Sequence, residues 1–125
     1  LSAGVDALPA LALTTDSSIL TGIGNDYGYD SLFSRQLQAN ARPGDVFIAI
    51  STSGNSANIV RALEAAAELD LVTVGLSGAG GGAMAELCQH CVKIPSTDTP
   101  RIQEGHIPVG HILCASTEQV LFGRD

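Results

Sequence analysis

Ile48-Ala49-Ile50-Ser51-Thr52-Ser53-Gly54-Asn55-Ser56 is the segment that most limits the folds open to this chain. A short apolar run stops in small polar residues and one glycine, and a helical pattern over Ala57 to Leu69 follows at once. That order predicts strand, tight loop, helix. The hydroxyls of Ser51, Thr52, Ser53 and Ser56 gather at the helix N-terminus. Free backbone N–H groups and the helix dipole favour an anion there, so a phosphate can be held without a lysine. The loop has neither G-x-x-x-x-G-K-[ST] nor G-x-G-x-x-G, which argues against a nucleoside triphosphate or a dinucleotide. A sugar phosphate suits it better. The plainer alternative is an ordinary N-cap, but capping needs only one such residue.

The elements around the loop follow an alternating pattern. Leu8-Pro9-Ala10-Leu11-Ala12-Leu13-Thr14 predicts a first strand, with Pro9 near its start where a missing N–H is tolerated. A short helical turn at Ile19-Leu20 is expected, and Gly22 to Tyr29 reads as an ordered loop rich in Gly, Asn and Asp. Asp30 is placed as N-cap of a helix carrying Leu32, Phe33 and Leu37, which Arg42-Pro43-Gly44-Asp45 ends in a turn. Val46 to Ile50 is a second strand, apolar enough to be covered on both faces. Ile59, Val60, Leu63, Ala66 and Ala67 give the next helix one buried stripe. Leu71 to Leu76 is a third strand, Ser77 to Gly82 a glycine-rich crossover, Met84 to Leu87 a short helix, and Cys91 to Ile94 a fourth strand. Arg101 to Leu121 is a long last helix, weakened by Gly105, Pro108 and Gly110 and capped by Asp98 and Thr99. Strands alternating with helices predict an α/β fold, a parallel sheet in three layers. Ligands bind such sheets beyond the C-terminal ends of the strands. Here those are Thr14 to Asp16, Ser51 to Ser56, Ser77 to Gly82 and Pro95 to Pro100.

Composition excludes several classes. Six basic residues stand against thirteen acidic ones, for a formal net charge of -7. Lys93 is the only lysine, so no positive surface for a nucleic-acid backbone is available. No apolar run approaches the length of a membrane span and no leader-like segment opens the chain, so the expected location is the cytoplasm. Cys88, Cys91 and Cys114 cannot form a closed disulfide set and are expected as reduced, buried thiols. Cys88-x-x-Cys91 is half a zinc site at most. His90 beside it is a turn or strand residue.

Ser51-Thr52-Ser53-Gly54-Asn55-Ser56 resembles the phosphate loop of sugar isomerase (SIS) domains. Leu20-Thr21-Gly22-Ile23-Gly24-Asn25-Asp26, Arg42-Pro43-Gly44-Asp45, and Arg101-Ile102-Gln103-Glu104-Gly105-His106-Ile107 with His111-Ile112-Leu113-Cys114 narrow the likeness. Together they resemble the phosphoheptose isomerase group, over nearly the whole chain. The resemblance implies a flavodoxin-like SIS fold and a single SIS domain over residues 1–125. It implies conversion of sedoheptulose 7-phosphate into D-glycero-D-manno-heptose 7-phosphate, for surface-polysaccharide precursors. It further implies that Ser51, Thr52, Ser53 and Ser56 hold the substrate phosphate, with Asn25 and Asp26 against the sugar. Gln103 and His111 would then reach the reacting end as zinc ligands, His111 also carrying the proton. Family members carry a further N-terminal segment, with a helical part, a first strand, a histidine ligand and a glutamate base. This chain is expected to lack or omit it. A homotetramer with active sites between subunits is implied as well.

Aldose–ketose isomerisation removes a proton from carbon and returns it, through an enediol whose oxygens need stabilising. On a helix, Gln103 and His111 lie about 80° apart around the axis and about 12 Å apart along it, with Ile107 between them. That span is long for two ligands of one ion. His106 falls off their face and reads as structural. Glu104, next to Gln103, points elsewhere, and Arg101 is free to pair with an acid. Two rival functions stay open: a non-catalytic adaptor of the replication-initiator-binding type, and a sugar-phosphate sensor.

Overall fold

The computed structural model describes residues 6–123. Three parallel strands, β1 (Val46–Ile50), β2 (Val72–Ser77) and β3 (His90–Lys93), form one sheet in the order β1-β2-β3. Five helices accompany them: α1 (Ser17–Tyr27), α2 (Leu32–Asn40), α3 (Ala57–Glu68), α4 (Met84–Leu87) and α5 (Thr99–Phe122). The α/β class and the parallel sheet flanked by helices are as the sequence predicts. The alternation runs through three strands and not four.

The core lies between the sheet and α3. Leu63 and Ala66 of the predicted stripe, with Ala62 beside them, meet Phe47 and Ala49 of β1 and Leu37 of α2. Met84 is wholly buried and joins the same cluster from the first turn of α4. Leu63→Ala at such a site costs about 2–5 kcal/mol. β2 is inaccessible at Thr73, Leu76 and Ser77, as expected of a central strand.

Segment 8–14 forms no strand. Leu8 and Leu11 stand exposed, and the segment is held by Leu13, whose carbonyl accepts Gln36 Nε2 at 3.0 Å. Its Leu-Pro-Ala-Leu-Ala-Leu composition lacks the β-branched residues that favour a pleated edge. The predicted loop Gly22–Tyr29 is largely helix. Asp16 caps α1 by accepting Ile19 N–H at 2.9 Å, and Gly28, at φ 90°, ends it. Local capping and the stacking of Arg35 on Tyr27, 3.7 Å from the ring centroid, outweigh two interior glycines. Asp30 lies in a 3-10 turn (Tyr29–Ser31) ahead of α2 and caps nothing. Asp98 holds the N-cap position of α5 without a side-chain cap and lies instead 3.8 Å from Arg101 Nε.

β1 is covered on one face only. Phe47 and Ala49 are buried, while Val46, Ile48 and Ile50 stand exposed on the other side. The expectation of two covered faces fails because α5 touches the sheet at β2 alone. α5 runs unbroken through Pro108. Its buried residues, Ile102 and His106, both lie in its first third, and Gly105 there admits the side chain of Ile94 where a Cβ would sit 2.8 Å away. From Ile107 onward α5 leaves the body of the domain, with Ile107, Ile112 and Val120 exposed. Among the described residues, no helix is long and apolar enough to cross a membrane.

The three cysteines are free thiols. Cys88 and Cys91 are half-buried, but Cys114 is exposed on α5, against the expectation that all three are buried. Burial, and then the neighbouring Cys91, push the Cys88 thiol up to about 11. Only the thiolate alkylates. At pH 8, iodoacetamide should therefore label Cys114 well before Cys88, as followed by peptide mass spectrometry. Equal labelling rates would contradict this placement.

Candidate functional site

The loop after β1 folds back on its own hydroxyls. Ser51 is nearly buried, at 6% exposure. Its Oγ lies 2.9 Å from Ser56 Oγ and 3.4 Å from Ser53 Oγ, and accepts Gly54 N–H at 3.1 Å. Ser53 Oγ in turn accepts Asn55 N–H at 3.1 Å. Ser56 occupies the N-cap position of α3 yet makes no side-chain cap hydrogen bond. Its carbonyl accepts the N–H groups of Ile59 and Val60, but its hydroxyl faces Ser51. The N–H groups of Ala57 and Asn58, ahead of those two, have no side-chain cap. The plain N-cap reading of Ser56 is therefore not what the structure shows, and an uncapped helix start is a place where anions can bind.

A glycine interlock sets the loop's shape. Gly54, at φ 68°, packs so tightly on the next crossover that a Cβ there would lie 2.0 Å from Gly81 O. Gly82, at φ 56°, presses back on Gly54 and on Ser53 O. Gly54 O accepts Met84 N–H at 2.9 Å, and Asn55 Oδ1 accepts Ala83 N–H at 2.9 Å. Gly78 N–H donates to Thr52 O at 3.0 Å. The loop is thus bolted to the start of α4 and to the end of β2. Lys93, the only lysine, lays its side chain against Gly81.

A cavity of about 250 Å³ opens on the Thr52 and Ser53 side of the loop. Gly78, Ala79 and Gly80 line it from the turn after β2, and Ser96, Thr97, Thr99 and Ile102 from the loop after β3 and the start of α5. It sits beyond the C-terminal ends of the strands, where parallel sheets bind ligands.

The structure brings Ser51, Thr52, Ser53 and Ser56 together in one loop. It does not bring the other predicted residues to the cavity wall. Asn25 and Asp26 lie exposed at the end of α1, hydrogen-bonded to each other at 2.7 Å. Gln103 and His111 are exposed on α5. Among the described residues no group of three or more His, Cys, Asp or Glu side chains could hold a metal ion. α5 carries its helical assignment unbroken past Pro108 and Gly110, so no break shortens the span between the two donors. Gln103 and His111 alone do not make a metal site.

His106 is buried and its Nε2 lies 3.1 Å from Ser77 O, with Nδ1 unpartnered among the described residues. It joins α5 to the end of β2, the structural role its helical phase predicts. Arg101 reaches Glu104 at 2.6 Å, which occupies that carboxylate on the surface. Sequence reasoning missed Asn55 and the glycine interlock, which depend on a crossover distant in sequence. It also placed Pro95–Pro100 at a ligand-binding end without assigning any residue there.

A parallel sheet whose first strand ends in a hydroxyl loop at a helix N-terminus defines an α/β domain of strand, loop and helix units. The profile of the SIS domain family matches residues 5–78, more than half of the chain, and the chain belongs to that family. It is 65% identical over 115 residues to a phosphoheptose isomerase of Aneurinibacillus thermoaerophilus, covering 92% of this chain and 58% of that protein. It is 62% identical over 117 residues to phosphoheptose isomerase 2 of Campylobacter jejuni, covering 94% and 58%. Among solved structures, phosphoheptose isomerase of Neisseria gonorrhoeae superposes with a TM-score of 0.83 at 48% identity, over 85% of this chain and 60% of that one. The enzyme of Francisella tularensis gives 0.83 at 36% identity, over 86% and 58%. The chain thus spans about three-fifths of the length of these relatives.

Gly54→Ala tests the interlock. A left-handed φ alone costs a residue with Cβ about 1–2 kcal/mol, and the clash with Gly81 O adds to it. Urea unfolding should show a loss of at least that size. A loss below about 0.5 kcal/mol, the scale of a neutral surface change, would mean the loop is not held as described.

Proposed function

We propose that this chain is the phosphate-binding part of an isomerase that converts sedoheptulose 7-phosphate into D-glycero-D-manno-heptose 7-phosphate. The observation that carries the reading is the Ser51–Ser53–Ser56 hydroxyl cluster at the uncapped start of α3. The similarity to phosphoheptose isomerases supplies the sugar.

In this reading the phosphate sits on the Ser51, Thr52, Ser53 and Ser56 hydroxyls and the first-turn N–H groups of α3. The helix dipole offsets part of its charge, in a chain whose net charge of -7 would otherwise repel it. Anchoring at that end fixes where the carbonyl end of the sugar lies, which lowers the entropy cost of reaction. Gln103 and His111, on the solvent side of α5, meet that end. His111 carries the proton between carbon and oxygen, and Gln103 donates its amide hydrogen bond to an enediol oxygen. Asn25 and Asp26 orient sugar hydroxyls only if α1 of a neighbouring subunit, or a shift of α1, brings them across. The base, and the further donors that zinc would need, come from outside this set of residues.

Homotetramer assembly belongs to the same proposal. What supports it is the uncovered apolar surface: Val46, Ile48 and Ile50 on β1, and Ile107, Ile112 and Val120 on α5. Exposed apolar residues in such numbers are suited to an interface. Sedimentation of the full-length protein should give one species of four chains, and a monomer at all concentrations would defeat the assembly. A cytoplasmic location fits a soluble sugar-phosphate substrate.

The deciding experiment is isomerisation of sedoheptulose 7-phosphate by the full-length protein, with and without added zinc. His111→Ala should lower kcat by about 10²–10⁴-fold, the range for loss of one acid–base group, with a smaller change in KM. Ser53→Ala with Ser56→Ala should act mainly through KM. Normal turnover by His111→Ala would return that side chain to a surface role. No turnover by the wild type under either condition would refute the isomerase reading.

A further inference from the structure

The hydroxyl loop fills only one side of its cavity. About 250 Å³ of space lies beyond Thr52 and Ser53. At about 30 Å³ per water-sized group, it has room for roughly eight of them, more than a phosphate occupies. The space therefore accepts what is attached to the phosphate as well.

Its walls indicate what that is. Among the described residues no charged side chain lines the cavity, so a second anion or a cation finds no partner among them. The far wall carries Thr97 and Thr99, and the near wall Thr52. None of these hydroxyls has a hydrogen-bond partner among the described residues. Each can both donate and accept, which matches alternating hydroxyls on a neutral carbon chain. The far wall is also fixed in place. Ser96 Oγ accepts Asp98 N–H at 3.1 Å, and Ser96 O accepts Ala79 N–H at 3.0 Å. Gly78 keeps the floor low, since a Cβ there would lie 2.6 Å from Ile102 Cδ1 and 2.8 Å from Thr52 O. Ile102 closes the cavity on the α5 side and directly precedes Gln103 in the chain.

We propose that Thr97 and Thr99 are specificity-determining residues that read the hydroxylated carbon chain of the sugar phosphate. This rests on the sugar-phosphate reading of the loop. With the phosphate on Ser51–Ser56, the carbons next to it pass between Thr52 and the Thr97–Thr99 wall on their way to Gln103. A ligand without a polyol chain gains nothing from this wall.

Calorimetric titration of the full-length protein with sedoheptulose 7-phosphate, and separately with inorganic phosphate, tests the proposal. The variant Thr97→Val with Thr99→Val keeps the shape of both exposed side chains and removes both hydroxyls. At about one net hydrogen bond each, it should bind sedoheptulose 7-phosphate about 30-fold more weakly. Inorganic phosphate should bind as it does to wild type, within about twofold. Thr97→Ser with Thr99→Ser, which restores the hydroxyls, should recover the affinity for the sugar phosphate. Unchanged affinity of the valine variant for the sugar phosphate would overturn the proposal. So would an equal loss for both ligands, which would show a distorted loop. A wild type that binds inorganic phosphate but gains nothing from the sugar would instead refute the sugar-phosphate reading, and the proposal with it.

Discussion

Ser56 stands at the N-cap of α3 and does not cap it. Its hydroxyl turns to Ser51, 2.9 Å away, and the N–H groups of Ala57 and Asn58, ahead of the two that Ser56 O accepts, are left without a side-chain cap. An N-cap side chain stabilises a helix by about 1 kcal/mol, so its absence is a standing local cost that a bound anion removes. The rest of the site depends on this choice. Gly54, Gly81 and Gly82 exist in their contact because the loop must turn sharply enough to aim three serines inward. Asn55 and Met84 then tie that turn to α4. The rigid parts are the loop and its backing, while the chemistry-bearing α5 is held by few contacts.

Much of this was legible in the sequence, and the reasons differ from element to element. β1 followed by the loop and α3 was readable because an apolar run, a polar break and a 3.6-residue stripe adjoin one another. The same held for β2 and for α4. α1 was not, because glycines and Asn-Asp pairs signal loops, whereas a capping aspartate and an Arg–Tyr stack decided for helix. The first strand was not, because the apolar run Leu8–Leu13 looks like a strand but lacks β-branched residues and pairs with no edge of the sheet. The hydroxyl cluster of the site was readable from spacing alone. The interlock behind it was not, since Gly54 and Gly81 meet only through the order of the strands. Thr97 went unassigned and Thr99 was read only as a cap, for the same reason: nothing local distinguishes two threonines facing a cavity from two on a surface.

The uncovered apolar face and the sparse anchoring of α5 belong to one picture. His106 and Ile102 fix the first turns of α5 to β2, and the remaining turns present Ile107, Ile112 and Val120 outward. The side of the sheet that bares Val46, Ile48 and Ile50 is equally without cover. Gln103 lies within the anchored turns and His111 within the projecting part. A reaction centre built there takes its phosphate grip from this fold and its remaining groups from whatever packs on that face. That division fits the proposal that this chain supplies the phosphate grip and only some of the groups that move the proton.

The central claim is that the anion seat is the loop from Ser51 to Ser56 with the first turn of α3. Amide NMR of the full-length protein during titration with inorganic phosphate tests it most directly. The account predicts saturable shifts concentrated in the amides of residues 52–58, with those of α1 and α2 unmoved. Saturable shifts elsewhere, with residues 52–58 silent, would contradict it.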